Sequence, residues 1–250
     1  MTSAVYTIWL RNMKRYLRSK SRMLGSLAQP LFFFLALGFG LNSVISGSSD
    51  GGVPYLMFIA PGIVSMTILF TSIFSGIQII WDKQFGFLKE TLIAPVSRTS
   101  IMLGQTIGGA TTSLIQGTFM LIITTLVGGI PFGSGIFIAF LFMISIGVAF
   151  TATGIAIASR MEDMQGFQLV MNFMVVPIFF LSGALFPLTK APALLKLIAY
   201  INPLTYGVEG IRYGLLGAST INPFVCFAVL GGFDILIVIL GGYLFSRIKL

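Results

Sequence analysis

The chain alternates long apolar runs with short polar segments, and this pattern predicts a bundle of membrane-spanning helices. The first run, Leu24 to Ile45, has no charged residue and would form a helix about 33 Å long. That length is enough to cross a hydrocarbon core of about 30 Å. The six predicted spans cover residues 24–45, 55–80, 101–127, 137–158, 167–186 and 224–245. The sequence therefore predicts an all-α membrane protein with six transmembrane helices, in a single domain over residues 1–250.

The composition indicates that lipid is the solvent for much of the surface. Of 250 residues, 56% are hydrophobic and 9% are charged, and the mean hydropathy is +0.99. So few charges cannot cover the surface of a soluble domain of this length. The chain contains no histidine and one cysteine, Cys226, which argues against a disulfide framework, Cys/His zinc sites and histidine-based acid–base chemistry.

The basic residues are distributed unevenly among the segments that connect the predicted spans. With the N-terminus in the cytoplasm, the outer segments hold three of the 15 Lys and Arg residues, namely Lys190, Lys196 and Arg212, and the inner segments hold the rest. Cytoplasmic segments of membrane proteins carry an excess of Lys and Arg. The sequence therefore predicts a multi-pass protein of the cell membrane with both termini in the cytoplasm.

Residues 1–22, before the first span, are amphipathic. The apolar face of a helix here would consist of Val5, Ile8, Trp9, Met13, Tyr16 and Leu17. The opposite face would carry Arg11, Lys14, Arg15, Arg18 and Arg22. Such a helix is typical of the membrane interface, where its cations lie near anionic lipid head groups. The alternative is a disordered basic tail.

Residues 188–222, between the fifth and sixth predicted spans, contain two apolar stretches that are too short to cross a bilayer. Asn202 followed by Pro203 is a favourable helix start, and the same pair recurs at Asn222. Glu209 and Arg212 lie three positions apart and can pair on one helical face, which lowers the cost of placing both charges near lipid. The pattern predicts a re-entrant hairpin in the outer leaflet or, alternatively, two surface helices lying flat.

The loop after the second span, residues 82–98, combines apolar and charged positions. Phe85, Leu88 and Leu92 recur at helical spacing, and their charged neighbours are Asp82, Lys83, Lys89 and Glu90. An apolar ridge flanked by charges suits a helix seated in the groove of a partner protein or an interfacial helix resting on lipid. The chain has no G-x-x-x-x-G-K-[ST] stretch, so an ATP-binding loop of this type must belong to another chain.

Two features within the predicted spans depart from a purely apolar pattern. Asp234 lies near the middle of the sixth span, where an ionised carboxylate is costly. It is either a proton or cation site of a secondary transporter or a buried acid that forms a hydrogen bond at a helix contact. The third span carries small residues at Gly104, Gly108, Thr112 and Gly117, which favours close packing of helices.

Two separated stretches of the chain resemble ABC transporter permeases of the type-2 export class, and especially the daunorubicin-resistance-like drug-export permeases. The first match, in the loop after the second span, consists of Phe85, Gly86, Phe87, Leu88, Lys89, Glu90, Ala94, Pro95, Val96, Ser97 and Arg98. The second consists of Leu181, Ser182, Gly183, Phe186, Pro187, Pro192, Leu197, Asn202, Pro203, Leu204, Thr205, Tyr206, Glu209 and Arg212. Asp82–Lys83 stands where the family often has Glu followed by Arg, which keeps both charges.

The resemblance implies a subunit with six spans, an amphipathic interface helix and a re-entrant hairpin before the last span. It implies that two such subunits, identical or paralogous, pair above two ATP-binding-cassette ATPase subunits, which would hold ATP and Mg. No cofactor is expected on this chain itself. In this family the loop after the second span resembles the coupling helix, which contacts the ATPase. The residues expected in that contact are Asp82, Lys83, Phe85, Gly86, Leu88, Lys89 and Glu90.

The sequence therefore favours the permease subunit of an ATP-driven exporter, without catalytic residues of its own. Its expected cargo is a hydrophobic or amphipathic compound, drug-like or lipid-like, and not a nucleic acid. Export of a polysaccharide or glycolipid is an alternative, as is an ATP-independent carrier that uses Asp234. Pro203, Tyr206, Glu209 and Arg212 are expected to shape an extracellular gate, with the ion pair at the tip of the hairpin.

Overall fold

The computed structural model describes residues 2–45, 54–87, 91, 93, 96–131 and 133–248, and their regular secondary structure is helical. The helices are α1 (Thr2–Arg18), α2 (Lys20–Ile45), α3 (Tyr55–Phe74), α4 (Ile77–Gln84), α5 (Arg98–Gly128), α6 (Ile136–Ala158), α7 (Met164–Phe180), α8 (Ala193–Ile201), α9 (Pro203–Leu216) and α10 (Pro223–Ser246). A short 3₁₀ helix covers Leu188–Lys190. The predicted all-α class is confirmed for this part of the chain.

Among the described residues, five helical stretches are long and apolar enough to cross a membrane, and α7 is a shorter apolar helix of 17 residues. The five are α2, α3 together with α4, α5, α6 and α10. The predicted span 167–186 is too long at its end, because α7 stops at Phe180 and Gly183 then turns the chain with a φ of 72°. A helix the length of α7 spans about 26 Å. The count of six spans therefore stays a prediction.

The second span lies at the centre of the bundle and is formed by α3 and α4, which are separated by Ser75 and Gly76. It packs against α2, α5, α6 and α9. At the break, the backbone of Gly76 approaches that of Gly154 in α6 so closely that a side chain on either glycine would collide with the neighbouring main chain. The two glycines therefore allow the central span to contact α6 directly.

The amphipathic N-terminal helix is confirmed as α1. Its apolar residues Ile8, Met13 and Tyr16 are buried, largely against the first half of α5. A Cβ atom on Gly104 would lie 2.9 Å from the Cβ of Ile8, and Gly108 lies against Asn12. The small residues of the third predicted span thus serve close packing, as predicted.

The bundle has two distinct ends. At the first, which we call the basic end, α1 crosses α5, and Arg98 at the start of α5 donates hydrogen bonds to the carbonyl oxygens of Ser246 (2.6 Å) and Ile248 (3.2 Å). At the opposite end, which we call the hairpin end, α8 and α9 follow α7. There Tyr55 at the start of α3 donates a hydrogen bond from its hydroxyl to the carbonyl oxygen of Leu185 at 3.0 Å.

The corner between α8 and α9 is built by Asn202, as the start signal predicts. Its Oδ1 accepts a hydrogen bond from the backbone N–H of Leu204 (3.0 Å), and its Nδ2 donates to the carbonyl oxygen of Ile178 in α7 (2.6 Å). One side chain therefore caps α9 and fixes the corner to the end of α7. The helical pair predicted over residues 188–222 is present, and its entry into the bilayer stays a prediction.

Candidate functional site

Asp82 lies near the end of α4 and connects two helices at the basic end. Its Oδ2 accepts a hydrogen bond from Nη2 of Arg11 in α1 at 2.8 Å, and its Oδ1 accepts one from Nε2 of Gln78 at 2.8 Å. Only 3% of Asp82 is exposed. The carboxylate was predicted at a surface that contacts a partner protein, but it is bonded to α1, so it can position that surface without belonging to it.

Lys83 binds the end of α6. Its Nζ donates hydrogen bonds to the carbonyl oxygens of Ala158 (3.3 Å), Ser159 (2.8 Å) and Met161 (3.0 Å). The last carbonyls of a helix lack partners within the helix and attract a cation. Lys83 therefore caps α6, and the end of α4 is fixed on one side to α1 and on the other to α6.

Beyond this anchor the chain presents aromatic side chains to its surroundings. Phe85 is 72% exposed and Phe87 is 52% exposed, and Gly86 between them turns the chain with a φ of 79°. Leu88, Lys89 and Glu90, which the sequence also assigned to the coupling contact, lie outside the described residues. The exposed aromatic residues suit a docking surface, and contact with an ATPase stays a prediction.

Glu209 and Arg212 form the ion pair that their spacing predicts, and both are buried. Arg212 donates through Nη1 to Oε1 of Glu209 and through Nη2 to the carbonyl oxygen of Gly183 at 3.0 Å. Its guanidinium lies 4.3 Å from the ring centroid of Phe58 in α3. The second carboxylate oxygen of Glu209 accepts from the backbone N–H of Thr220.

The location of this pair corrects the expectation that it holds the tip of the hairpin. The tip is the corner at Asn202, whereas Glu209 and Arg212 lie further along α9 and fix that helix to the segments that follow α7 and precede α10. Pro203 is the first residue of α9, and Tyr206 donates its hydroxyl hydrogen to the carbonyl oxygen of Tyr200 at 2.7 Å. A gate role for these four residues stays a prediction.

Asp234 lies at the contact of α10 with α6. Its Oδ2 accepts a hydrogen bond from the hydroxyl of Ser145, and its Oδ1 is buried without a hydrogen-bond partner among the described residues. This arrangement fits the interpretation of Asp234 as a hydrogen-bonded acid at a helix contact. Within the described ranges, no group of three Cys, Asp or Glu side chains could hold a metal ion.

A cavity of about 460 Å³, which we call the amide-lined cavity, lies in the half of the bundle near the basic end, and the sequence pattern did not predict it. Carboxamide side chains from several helices line it, together with aromatic rings. The carboxamides are Asn12, Gln29, Gln78, Gln105, Gln116 and Gln168. Glutamines within apolar spans were the available signal, because an amide at that depth needs a partner.

Tyr16 and Arg15 of α1 also face this cavity. The Tyr16 hydroxyl is buried beside Gln116 and forms no hydrogen bond of regular geometry among the described residues. Burial raises the pKa of Tyr16 above its ordinary value, with a smaller opposing influence from Gln116. The hydroxyl therefore stays protonated near neutral pH and can donate a hydrogen bond to a molecule in the cavity.

Comparison with known proteins gives a consistent family match. A family model described as ABC-2 type transporter matches residues 3–216. A protein of Pyropia yezoensis described as a transport permease, ycf38, is 31% identical over 220 residues, which cover 85% of this chain and 71% of that protein. Nodulation protein J of Sinorhizobium fredii is 26% identical over 212 residues, or 84% of this chain and 80% of the relative. Inner membrane transport permease YadH of Escherichia coli is 26% identical over 231 residues, or 91% and 88%.

Proposed function

Because the chain belongs to the ABC-2 type transporter family, we propose that it is the membrane-spanning subunit of an ATP-driven exporter. The subunit provides the transport pathway, and separate ATP-binding-cassette subunits bind ATP and Mg. Its cargo is a hydrophobic or amphipathic compound, drug-like or lipid-like, with a polysaccharide or glycolipid as the alternative. The basic end faces the cytoplasm, because Lys and Arg are enriched on that side of membrane proteins.

The observation that carries this proposal is the exposed aromatic pair Phe85 and Phe87 at the basic end. Large exposed aromatic side chains are typical anchors of protein interfaces. Here they directly follow a helix end that Asp82 fixes to α1 and Lys83 fixes to α6. A force applied at the aromatic pair therefore acts on three helices of the bundle, which suits a contact through which an ATPase drives a membrane domain.

A second permease subunit, identical or paralogous, pairs with this one through the face formed by α2 and α7. Both helices leave large apolar side chains uncovered in the single chain, including Phe32, Phe39 and Phe173. Two copies that meet there would enclose a pathway between α2 and α7 of each subunit.

ATP binding to the two partner subunits draws the two aromatic contacts together and tilts the attached helices. The central span transmits this displacement to the hairpin end, where Phe58 of α3 contacts the guanidinium of Arg212. Arg212 also donates a hydrogen bond to the carbonyl oxygen of Gly183. A shift of α3 therefore displaces the segment that connects α7 to α9. The pathway then changes from inward to outward access as the hairpin moves.

The test is reconstitution of the chain in vesicles with and without its ATP-binding-cassette partner. The expected result is transport of a fluorescent amphiphile only when the partner and ATP are both present. Phe85→Ala should reduce ATP-driven transport roughly tenfold or more, since loss of a central aromatic anchor costs an interface about 2 kcal/mol. Phe224→Ala is the matched control, because Phe224 is 86% exposed and lies at the hairpin end.

Two results would overturn the proposal. Transport by the chain alone, driven by an ion gradient and lost in Asp234→Asn, would show an ATP-independent carrier. Unchanged ATP-driven transport in Phe85→Ala, with Phe87→Ala equally unaffected, would show that energy enters the subunit elsewhere.

A further inference from the structure

We propose that the amide-lined cavity near the basic end binds the uncharged, hydroxyl- or amide-bearing head group of an amphiphile before export. The proposal deepens the function proposed above and rests on it only for the role of the site in transport. Binding itself is a property of this chain and requires no ATPase.

The concentration of amides around one cavity is the first observation. The chain has seven glutamines, at positions 29, 78, 84, 105, 116, 165 and 168, and five of them line the cavity. These five come from four different helices, α2, α4, α5 and α7, with α5 contributing two, so no local repeat explains their meeting. An amide at membrane depth is costly without a hydrogen-bond partner. The arrangement therefore points to a ligand or water held in the cavity.

The hydrogen bonds of these amides leave capacity for a ligand. Oε1 of Gln105 accepts from Nδ2 of Asn12 at 2.7 Å, and Oε1 of Gln116 accepts from the hydroxyl of Ser26 at 2.6 Å. The Nε2 group of Gln105 donates no hydrogen bond to any described residue. The side chains of Gln29 and Gln168 likewise make none within the part of the chain that the structure describes.

The amide side chains of the lining match an uncharged polar group. Carboxamides both donate and accept hydrogen bonds, which matches hydroxyl and amide groups. The described lining contains no Asp or Glu, so it offers no carboxylate to pair with a cationic head, and Arg15 is its single cation. Phe70, Phe74 and Trp81 supply apolar faces for a sugar ring or the start of an acyl chain. The volume of about 460 Å³ lies within the range of small-molecule sites, about 300–1,000 Å³.

The cavity reaches the surface of the single chain between α2 and α7. Gly25 and Gln29 of α2 and Gln168 of α7 line it and are exposed, and these two helices make few contacts with each other. This mouth lies beside the face that we propose to meet the second subunit. A head group could therefore enter from the leaflet at the basic end and leave toward the pathway between the subunits.

The chain supplies its own reporter for a binding experiment. It contains two tryptophans, Trp9 and Trp81, and Trp81 lines the cavity. In a Trp9→Phe background reconstituted in nanodiscs, Trp81 fluorescence would be titrated with octyl glucoside below its micellar concentration. Octyl phosphate and octyltrimethylammonium, which have the same tail, complete the series. The expected result is a saturable spectral shift with the glucoside that is weaker with both charged amphiphiles.

Variants separate specific binding from partition into lipid. Gln105→Leu should weaken glucoside binding roughly tenfold, the effect of about one lost hydrogen bond. Gln29→Leu is the second variant, because an exposed residue without hydrogen bonds among the described residues can change without disturbing folding. Gln165→Leu is the matched control, since Gln165 is exposed and lies outside the lining. The affinity of Gln165→Leu for octyl glucoside should equal that of the parent protein.

The proposal is overturned if the shift does not saturate, or if Gln29→Leu and Gln165→Leu bind alike. Preferential binding of octyl phosphate would also overturn it, since the head group would then be anionic. Its failure is distinguishable from failure of the proposed function. Loss of the binding signal with intact ATP-driven transport refutes only the cavity, whereas intact binding without ATP-driven transport refutes only the exporter.

Discussion

The two acid–arginine pairs found among the described residues differ in sequence separation and in burial. Glu209 and Arg212 lie three residues apart on α9 and are both almost completely buried. Arg11 and Asp82 come from α1 and α4, and the Arg11 side chain remains 33% exposed. The first pair lies within one helix, and the second joins two helices that separate when the chain unfolds. Water cannot reach the buried pair to solvate a charge that loses its partner. At the basic end, water can reach Arg11.

The comparison shows what each pair is suited to. At the hairpin end, both members have additional partners in Gly183, Thr220 and Phe58, so removal of one charge leaves the other uncompensated in the interior. At the basic end, Arg11 can be solvated when the pair opens. The first arrangement favours a fixed joint, and the second tolerates rearrangement.

The largest effect is expected from breaking the buried pair. Glu209→Ala or Arg212→Ala alone should lower the unfolding free energy by about 3–5 kcal/mol, because each leaves an unpaired buried charge. The double variant should cost clearly less than the sum of the single variants. Denaturation in mixed micelles measures these differences, and Glu162→Ala, at an exposed acid, is the control. Additive single effects would show that the two side chains act independently.

A smaller effect is expected at the basic end. Asp82→Asn removes the charge but keeps a hydrogen-bonding group, and we expect a loss of about 1–2 kcal/mol. The wild-type pair should also weaken between low and high salt, because Arg11 is accessible to screening ions. The same salt series on the wild type and Asp82→Asn tests this. If the unfolding free energies of the wild type and Asp82→Asn change equally with salt, the Arg11–Asp82 pair is not the source of the salt dependence.

The smallest effect is expected at Asp234, whose described partner is the Ser145 hydroxyl and not a cation. Asp234→Asn keeps an acceptor for that hydroxyl, so the unfolding free energy should change by less than about 1 kcal/mol, and ATP-driven transport should persist. A loss of ATP-driven transport with unchanged stability would contradict the interpretation of Asp234 as a packing group. Ser145→Ala is the companion variant that removes the same hydrogen bond from the other side.

Local patterns in the sequence predicted much of the fold. Apolar runs located the long helices, and Asn–Pro pairs located the starts of α9 and α10, where Asn202 and Asn222 cap the helices as expected. The i,i+3 pair on α9 was also predictable, since helix geometry brings its members together. The end of α7 was not, because the turn after Phe180 depends on contacts of the segment around Gly183 with α3 and α9.

The parts of the site that were not predicted depend on contacts distant in sequence. Arg11 and Asp82 are separated by 71 positions, and Lys83 binds carbonyl oxygens 75 or more positions away. In the sequence Asp82 and Lys83 look like exposed charges of a docking loop, because nothing nearby identifies their partners. The same applies to the cavity, where amides that are isolated within their own helices become neighbours only after the helices pack.

The break between α3 and α4 makes Ser75 and Gly76 the two residues at which the central span can bend. A regular α-helix has a fixed rise of about 1.5 Å per residue, so neither segment can absorb an axial push by shortening. A displacement that starts at Gln84 must either bend the chain at Ser75 and Gly76 or reach the aromatic ring that supports Arg212. A larger side chain at the Gly76–Gly154 contact would therefore limit bending at this break. The two glycines thus determine how much of a displacement at the basic end reaches the hairpin end.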